Sequence, residues 1–444
     1  MNSSFLIAAP HSGAGKTTVT LGLLRAFRRK GFTVRPFKCG PDFIDPIHHR
    51  TAAGLDSVNL DRYMMSDDHI RDLYNSYTAD AGVSIVEGVM GLYDGAVKSE
   101  GSAAALAKLL DLPVILVLNA KAMAYSAAAI LYGLKHFDPA VKIAGVIFNF
   151  VGSEGHYRIL REAAADVGVT ALGYLPVDEA LRIPSRHLGL DTADAEAAID
   201  AAAGLLEKQV DLEELLEVTR AGVGEFRDGN SGEFATISGE REGGARRLNI
   251  LVARDEAFTF TYRENIRRLE EWGTVTFFSP LRDTRFPVKP DLVYLPGGYP
   301  ELYLPELAEN TALLAQLRTH IAGGGKILAE CGGMMYLGRS ITDGAGVSYN
   351  MAGIIDAVTS MQAKRLSLGY RTVRLPGGVA KGHEFHYSQY RGELPETVEA
   401  YNARGEAVSL PFFRSSGILA SYMHFYWGED PRFLESWLTP DGRR

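Results

Sequence analysis

Three groups of residues in this chain could do chemistry: a lysine and threonines behind a glycine-rich turn, acids at the ends of apolar runs, and a cysteine followed by two glycines. The first group lies in Phe5-Leu6-Ile7-Ala8-Ala9-Pro10-His11-Ser12-Gly13-Ala14-Gly15-Lys16-Thr17-Thr18, which reads as a strand, a tight loop and a helix start. In such a loop, successive backbone N–H groups and a helix N-terminus surround phosphate oxygens. Gly13 and Gly15 permit close backbone approach. Lys16, expected on an exposed loop, would reach the β- and γ-phosphates of ATP, and the Thr17 hydroxyl would bind Mg²⁺. Thr18 is counted with the nucleotide-binding set. Pro10 occupies the site of the first glycine of the strict pattern, and a loop one residue longer would put Ala9 there. A plain strand-to-helix turn is the alternative, and Gly-Lys-Thr-Thr in this setting argues against it.

A bound magnesium needs further oxygen ligands. Glu87 ends the apolar run Val83-Ser84-Ile85-Val86, and Asp42 lies in Lys38-Cys39-Gly40-Pro41-Asp42-Phe43-Ile44-Asp45-Pro46, just after another such run. In open parallel sheets, ligands collect beyond the carboxyl ends of strands, where both acids would fall. Lys38, at the head of that segment, is assigned to the nucleotide. Asp45 reads equally well as a turn residue before Pro46 and as part of the site. Asp94, in Gly88-Val89-Met90-Gly91-Leu92-Tyr93-Asp94-Gly95, either orients an acceptor carboxylate or closes a turn. Cys39 reads as a small buried residue.

The cysteine lies in Lys326-Ile327-Leu328-Ala329-Glu330-Cys331-Gly332-Gly333-Met334, a strand running into a sharp turn and a helix. That geometry exposes a nucleophile. The Gly332 N–H after it, with one from a neighbouring glycine loop, can form an oxyanion hole. Leu295-Pro296-Gly297-Gly298-Tyr299-Pro300-Glu301 is the donor loop, with Gly298 as the donor. A thiol needs a base or a cation to become thiolate. His424, in Ser421-Tyr422-Met423-His424-Phe425-Tyr426-Trp427, follows Cys331 in order and lies late in the chain, so it is read as that base. A lone histidine among aromatics is otherwise a packed core residue. The polar run Gly382-His383-Glu384-Phe385-His386-Tyr387-Ser388 is expected to line the site, with neither histidine as base. Phosphate activation and thiolate chemistry together point to an enzyme that energises a carboxylate with ATP and aminates it with ammonia from glutamine.

These parts need two α/β frames. The 444 residues exceed one ordinary core, and 46% hydrophobic with 23% charged residues suits a globular protein in water. A formal net charge of -8 offers no footprint for nucleic acid. No apolar run has membrane-spanning length, and no basic-then-apolar leader appears. Two distant cysteines, Cys39 and Cys331, suggest the reducing cytoplasm rather than a disulfide framework. Strands are expected at Ser4–Ala8, Thr33–Phe37, Val83–Glu87, Val114–Leu118 and Ile143–Asn149, with helices such as Thr17–Lys30, Ser102–Leu110 and Ala124–His136 between them. Near-continuous apolar strands separated by helices mean a parallel sheet covered on both faces. Residues 1–190 form this first domain. Residues 191–247 read as a helical segment followed by the Gly-rich linker Gly222–Arg247. A second α/β domain spans 248–444, with strands Leu248–Ala253, Val275–Phe278, Leu292–Leu295 and Ile327–Ala329 and helices Tyr262–Trp272 and Thr311–Ala322. No internal repeat is visible.

Taken together, Gly13–Thr18, Lys38–Pro46, Glu87–Gly95, Ile183–Leu190, Leu295–Glu301, Ala329–Gly338, Gly382–Ser388 and Ser421–His424 resemble the cobyrinate a,c-diamide synthase family, whose members amidate two acetate side chains of a corrin ring. The resemblance covers nearly the whole chain except the linker. It implies a dethiobiotin-synthetase-like domain joined to a class I, triad-type glutamine amidotransferase domain. It also implies that Asn149 contacts adenine and that Asp42, Glu87 and Asp94 serve metal and acceptor. Ordinary class I amidotransferases carry a glutamate two residues after the histidine; Tyr426 stands there instead, and the relatives that amidate tetrapyrroles also lack that acid, so the resemblance implies a Cys331–His424 dyad. The implied partners are a tetrapyrrole substrate, L-glutamine and ATP, with a homodimer left open. Nickel-sirohydrochlorin and hydrogenobyrinate are rival rings. A nucleotide-switch ATPase of the positioning type would carry a lysine at His11 and have no use for Cys331 with His424. A plain glutaminase would leave Lys16 and Glu87 unemployed.

Overall fold

The computed structural model describes residues 3–181, 192–220, 247–391 and 398–439. The chain divides into two compact units, Met1–Phe234 and Ala235–Arg444. The segment Ile183–Leu190 and nearly all of the expected linker lie outside the described residues. No described helix is long and apolar enough to cross a membrane.

The first unit is built on seven parallel strands: β1 (Ser3–Ala8), β2 (Val34–Cys39), β3 (Val58–Leu60), β4 (Val83–Glu87), β5 (Val114–Asn119), β6 (Ile143–Val151) and β7 (Thr170–Pro176). Their order is β3-β2-β4-β1-β5-β6-β7. Strands such as Val83-Ser84-Ile85-Val86-Glu87 are buried along their whole length, as a sheet covered on both faces requires. The order reverses at β1, and the carboxyl ends of β1, β2 and β4 lie side by side: Glu87 is in register with Ile7 and with Lys38. That is the switch point where open α/β sheets bind ligands. Strand β2 runs two residues further than expected, so Lys38 and Cys39 belong to the sheet, and the following helix begins at Ile44. The short edge strand β3 and the Gly- and Pro-containing β7 went unforeseen.

Helix Lys16–Arg29 buries Val19, Leu21, Leu23, Leu24 and Phe27. Truncating one of these leucines to alanine should cost about 2–5 kcal/mol. Its outer face is covered as well, by helix Thr192–Gln209, to which Arg25 is fastened through Glu196 at 2.6 Å and through Asp200. Helices Thr192–Gln209 and Leu212–Arg220 thus pack as part of the first unit.

The second unit begins with β8 (Leu248–Ala253), β9 (Gly273–Phe278), β10 (Leu292–Leu295) and β11 (Lys326–Glu330). It continues with β12 (Ser340–Thr342), β13 (Ser348–Asn350), β14 (Val358–Ser360), β15 (Ser367–Leu375), β16 (Gly378–His386) and β17 (Gln389–Arg391). Strands β18 (Glu399–Tyr401), β19 (Phe412–Arg414), β20 (Ile418–Ser421) and β21 (His424–Tyr426) complete it. The main sheet has the order β19-β20-β11-β10-β8-β9, and two four-stranded sheets, β13-β12-β14-β17 and β18-β15-β16-β21, lie beside it in the chain's second half. The β15–β16 hairpin turns at Pro376-Gly377, where Gly377 has φ 93°, the pairing a type II turn demands. Only Tyr422 and Met423 separate β20 from β21, so the chain leaves one sheet and joins another immediately before His424.

Candidate functional site

In the first unit, Gly13 and Gly15 adopt φ 80° and 94°, left-handed conformations that an L side chain resists. A Cβ at Gly15 would also collide with the Asn149 amide. Gly15 starts helix Lys16–Arg29 with no side-chain cap, which leaves the first backbone N–H groups of a fourteen-residue helix available to an anion. Lys16 is buried rather than exposed as expected: its ammonium donates to Met90 O at 2.5 Å and to His11 O at 3.5 Å. Burial lowers its pKa, against the opposing pull of Glu87. Asn149, the residue the resemblance places against adenine, donates from Nδ2 to Ala14 O at 3.0 Å and so braces the loop from β6.

The acids converge on the same end of the sheet. Thr17 Oγ1 donates to Glu87 Oε1 at 2.7 Å, and Lys38 Nζ reaches the same oxygen at 3.1 Å. Lys38 also pairs with Asp45 at 2.5 Å and Asp42 at 3.9 Å. Burial would push the Lys38 ammonium down, but Asp45, Glu87 and Asp42 hold it above its ordinary value. Burial likewise raises Glu87, yet Lys38 and His49 keep it below the usual carboxylate range. Asp45, evenly weighed from sequence, is buried inside helix Ile44–Ala53 and is the strongest partner of Lys38. Asp42 caps the start of that helix, its Oδ1 accepting from Ile44 N at 2.9 Å and Asp45 N at 3.2 Å. His49, which sequence reasoning missed, meets Glu87 Oε2 at 2.7 Å, while its Nδ1 meets Ser57 Oγ at 2.9 Å. Asp94 is exposed and closes its own turn, Oδ2 accepting from Gly91 N at 2.9 Å.

Among the described residues there is no cluster of three or more His, Cys, Asp or Glu able to hold a metal ion. Thr17 and Glu87 nevertheless offer adjacent hard oxygens, the donor type Mg²⁺ takes one or two of while keeping water and phosphate as its remaining ligands. The set fits magnesium bound together with a nucleotide.

In the second unit, Cys331 stands between the end of β11 at Glu330 and the helix Gly332–Leu337, with φ 44° and ψ -107°, a conformation rare outside glycine that costs on the order of 1–3 kcal/mol. A strained strand-to-helix turn of this kind is the geometry that a nucleophile elbow uses. The Gly332 N–H points back at the thiol, which also lies 3.9 Å from Phe385 O. Burial, with Glu301 next in weight, pushes the thiol well above its ordinary value, so the resting sulfur keeps its proton. The Gly297–Gly298 turn links the elbow to the histidine. A Cβ on Gly332 would sit 3.3 Å from Gly298 N, and one on Gly297 would strike the His424 ring. Gly298 itself has φ 158° and packs on Ala257 O, leaving no room for a side chain.

His424 is fully buried, in register with His383 of β16 and near Phe260 at 5.9 Å between ring centroids. Burial drives its pKa well below the ordinary value. Tyr426, at the position of the usual acid, packs edge-on to Tyr262 at 5.5 Å, and Tyr262 hydrogen-bonds His383 Nδ1 at 3.1 Å. The polar run of β16 is as expected a strand near the thiol; Glu384 in it pairs with Arg371 at 2.5 Å. His386 stacks on Tyr422 at 3.7 Å. Cys39 is buried, with its thiol pushed up to about 12 chiefly by burial, and both cysteines are free.

Comparison with known proteins covers most of the chain. The family model of the CobQ/CobB/MinD/ParA nucleotide binding domain matches residues 5–190, and that of the CobB/CobQ-like glutamine amidotransferase domain matches residues 249–432. A hydrogenobyrinate a,c-diamide synthase of Brucella abortus biovar 1 is 41% identical over 433 residues, 95% of this chain and 97% of its own. The cobyrinate a,c-diamide synthase of Caldanaerobacter subterraneus subsp. tengcongensis is 38% identical, covering 95% of this chain and 94% of its own. That of Salmonella typhimurium is also 38% identical, covering 98% and 97%. A crystal structure of a glutamine amidotransferase, 20% identical with a TM-score of 0.32, covers 43% of this chain and 97% of its own, a likeness too distant to carry weight. The chain belongs to the cobyrinate/hydrogenobyrinate a,c-diamide synthase family, glutamine-dependent amide-forming enzymes with a nucleotide-binding domain and an amidotransferase domain.

Proposed function

We propose that this family member amidates the a- and c-acetate carboxylates of a corrin ring, cobyrinate or its metal-free counterpart hydrogenobyrinate, using ATP and glutamine in the cytoplasm. The observation that carries the reading is the strained Cys331 elbow, joined to His424 through Gly297–Gly298, in a chain whose other unit presents an uncapped helix beside Thr17 and Glu87.

The chemistry divides between the units. In the first, an acetate oxygen attacks the γ-phosphorus of ATP, the bond to the β-phosphate oxygen breaks, and ADP leaves. The product is an acyl phosphate, which exchanges a poor leaving group for a good one. The loop amides from Gly13 to Thr18 hold the phosphates, and Lys16 leaves Met90 O for the developing charge. Lys38, kept cationic by its acids, adds a second fixed positive charge, and Asn149 braces the loop for the base. Thr17, Glu87 and Asp42 would hold Mg²⁺, which supplies further charge neutralisation at the phosphates. Asp94 orients the acceptor carboxylate.

In the second unit, Cys331 Sγ attacks the glutamine side-chain carbonyl while its proton passes to His424. Gly298 and Gly332 N–H groups receive the oxyanion. His424 returns the proton to the departing nitrogen, ammonia leaves, and a glutamyl thioester remains. Water, deprotonated by His424, then releases glutamate. The burial that keeps thiol and imidazole neutral at rest fits this transfer, because the proton moves only as the sulfur commits to bonding. Ammonia finally displaces phosphate from the acyl phosphate.

Mass spectrometry after incubation with ATP, glutamine and cobyrinate, hydrogenobyrinate or nickel-sirohydrochlorin in turn tests the reading. Two successive exchanges of acid for amide on a corrin are expected. Amidation of the nickel ring alone, or of none, would contradict it.

A further inference from the structure

Glu330 is a buried acid that the mechanism above does not use, and it stands one residue before the nucleophile. It interrupts the apolar strand Ile327-Leu328-Ala329 with a carboxyl that is 1% exposed, an environment where an apolar residue would be the ordinary choice. Both of its oxygens are engaged. Oε2 accepts from the Tyr294 hydroxyl at 2.8 Å, and Oε1 accepts from the backbone N–H of Phe425 at 3.1 Å. Phe425 is the residue after His424.

Among the described residues, the strand carrying His424 has one strand partner, since β21 is the terminal strand of the sheet β18-β15-β16-β21. Side chains serve its middle residue instead. Glu330 takes the Phe425 N–H, and Asn265 Nδ2 donates to Phe425 O at 2.8 Å. A second tie lies three residues before the histidine: Cys331 N donates to Ser421 O at 2.8 Å. The stretch Ser421–Phe425, which holds His424, is therefore fastened to Cys331 at one end and to Glu330 at the other.

We infer that Glu330 is a positioning residue that fixes the histidine-bearing strand against the cysteine elbow, so that His424 and Cys331 keep their working geometry. The inference rests on the dyad reading of the preceding section. Glu330 touches no reacting atom; it acts through the Phe425 backbone.

The test compares purified full-length variants in two assays: amidation with glutamine and amidation with ammonium salt. Glu330→Leu removes the acceptor from Phe425 N–H. It should lower kcat with glutamine on the order of a hundredfold, as displacements of about 1 Å do. The KM for glutamine should stay within about threefold, because a misplaced base impairs the chemical step rather than binding. Ammonia-dependent amidation should persist. Glu330→Gln keeps an oxygen for Phe425 N–H and an amide for Tyr294, and should recover most of the glutamine-dependent rate. Should Glu330→Leu not fold, Glu330→Asp serves, since its shorter side chain cannot reach Phe425 N–H; the same split is expected of it.

Three results would overturn the inference: undiminished glutamine kcat in Glu330→Leu (or in Glu330→Asp, should Glu330→Leu not fold), Glu330→Gln falling as far as Glu330→Leu, or loss of both nitrogen sources in a folded variant. Cys331→Ala run in parallel separates the two levels. If it keeps glutamine-dependent activity, the dyad reading itself is wrong; if it loses that activity while Glu330→Leu does not, only the role of Glu330 fails.

Discussion

His424 and His383 face each other across an antiparallel strand pair, their rings stacked with centroids 5.1 Å apart and planes 22° from parallel. Burial lowers His383 to about 3 and holds His424 well below its ordinary value, so neither ring carries charge near neutrality. A neutral imidazole can accept the thiol proton, and His383 offers it a flat, uncharged neighbour in place of the usual acid. His424→Ala should therefore cut glutamine-dependent amidation by at least about a hundredfold, the common worth of a positioned base. Ammonia-dependent amidation should survive. His383→Gln should lose less, since no proton passes through it; equal losses in the two variants would make His383 the base.

Lys16→Ala should abolish amidation with either nitrogen source, with a fall of at least about a hundredfold, because acyl phosphate formation precedes both. Lys16 is buried against Met90 O and His11 O, so a thermal melt must accompany the assay. Full activity in the folded variant would remove the loop from the mechanism.

Replacing Glu87 by Gln or Asp42 by Ala should raise the magnesium concentration needed for half-maximal activity by about tenfold or more, with partial rescue by excess Mg²⁺. Asp94→Ala should instead lose turnover at unchanged nucleotide affinity. Its Oδ2 bond to Gly91 N makes the alternative concrete: wild-type kinetics throughout would reduce Asp94 to a turn residue.

Much of this was open to reading from the chain. Strand β4 and strand β10 begin and end where their apolar runs do, and Gly-Lys-Thr-Thr announced the loop because few arrangements besides a phosphate cradle need those residues together. What stayed hidden depends on long-range register. His49 follows another histidine in an unremarkable helix, and only the alignment of β4 with the helix after β2 brings it to Glu87. Lys16 looked exposed because its cover, Met90, comes from a loop seventy-four residues away. Glu330 did leave a trace, a charged residue closing an apolar strand, but its partners Tyr294 and Phe425 come from two other strands that no spacing rule connects.

Stability should carry a pH signature from the same carboxyl. Burial, chiefly, raises Glu330 from 4.5 to about 8, so the folded protein holds a proton there that the unfolded chain releases. Between those values the native state binds more protons at this group, so the carboxyl's contribution to stability falls as pH rises and levels off above about 8. Glu330→Gln cannot titrate. Its melting temperature relative to wild type should therefore climb across that window, and a constant difference from pH 4.5 to 8 would show that Glu330 titrates normally.

The division of labour between the two units is tested most directly by Cys331→Ala, with amide formation on the corrin followed by mass spectrometry using glutamine and ammonium salt side by side. Removing the thiol eliminates the nucleophile that forms the glutamyl thioester, so glutamine-dependent amidation should vanish. Ammonia needs no thioester to reach the acyl phosphate, so its rate should stay near that of the wild type. Retained glutamine-dependent amidation in Cys331→Ala would contradict the assignment of the elbow as the glutaminase centre.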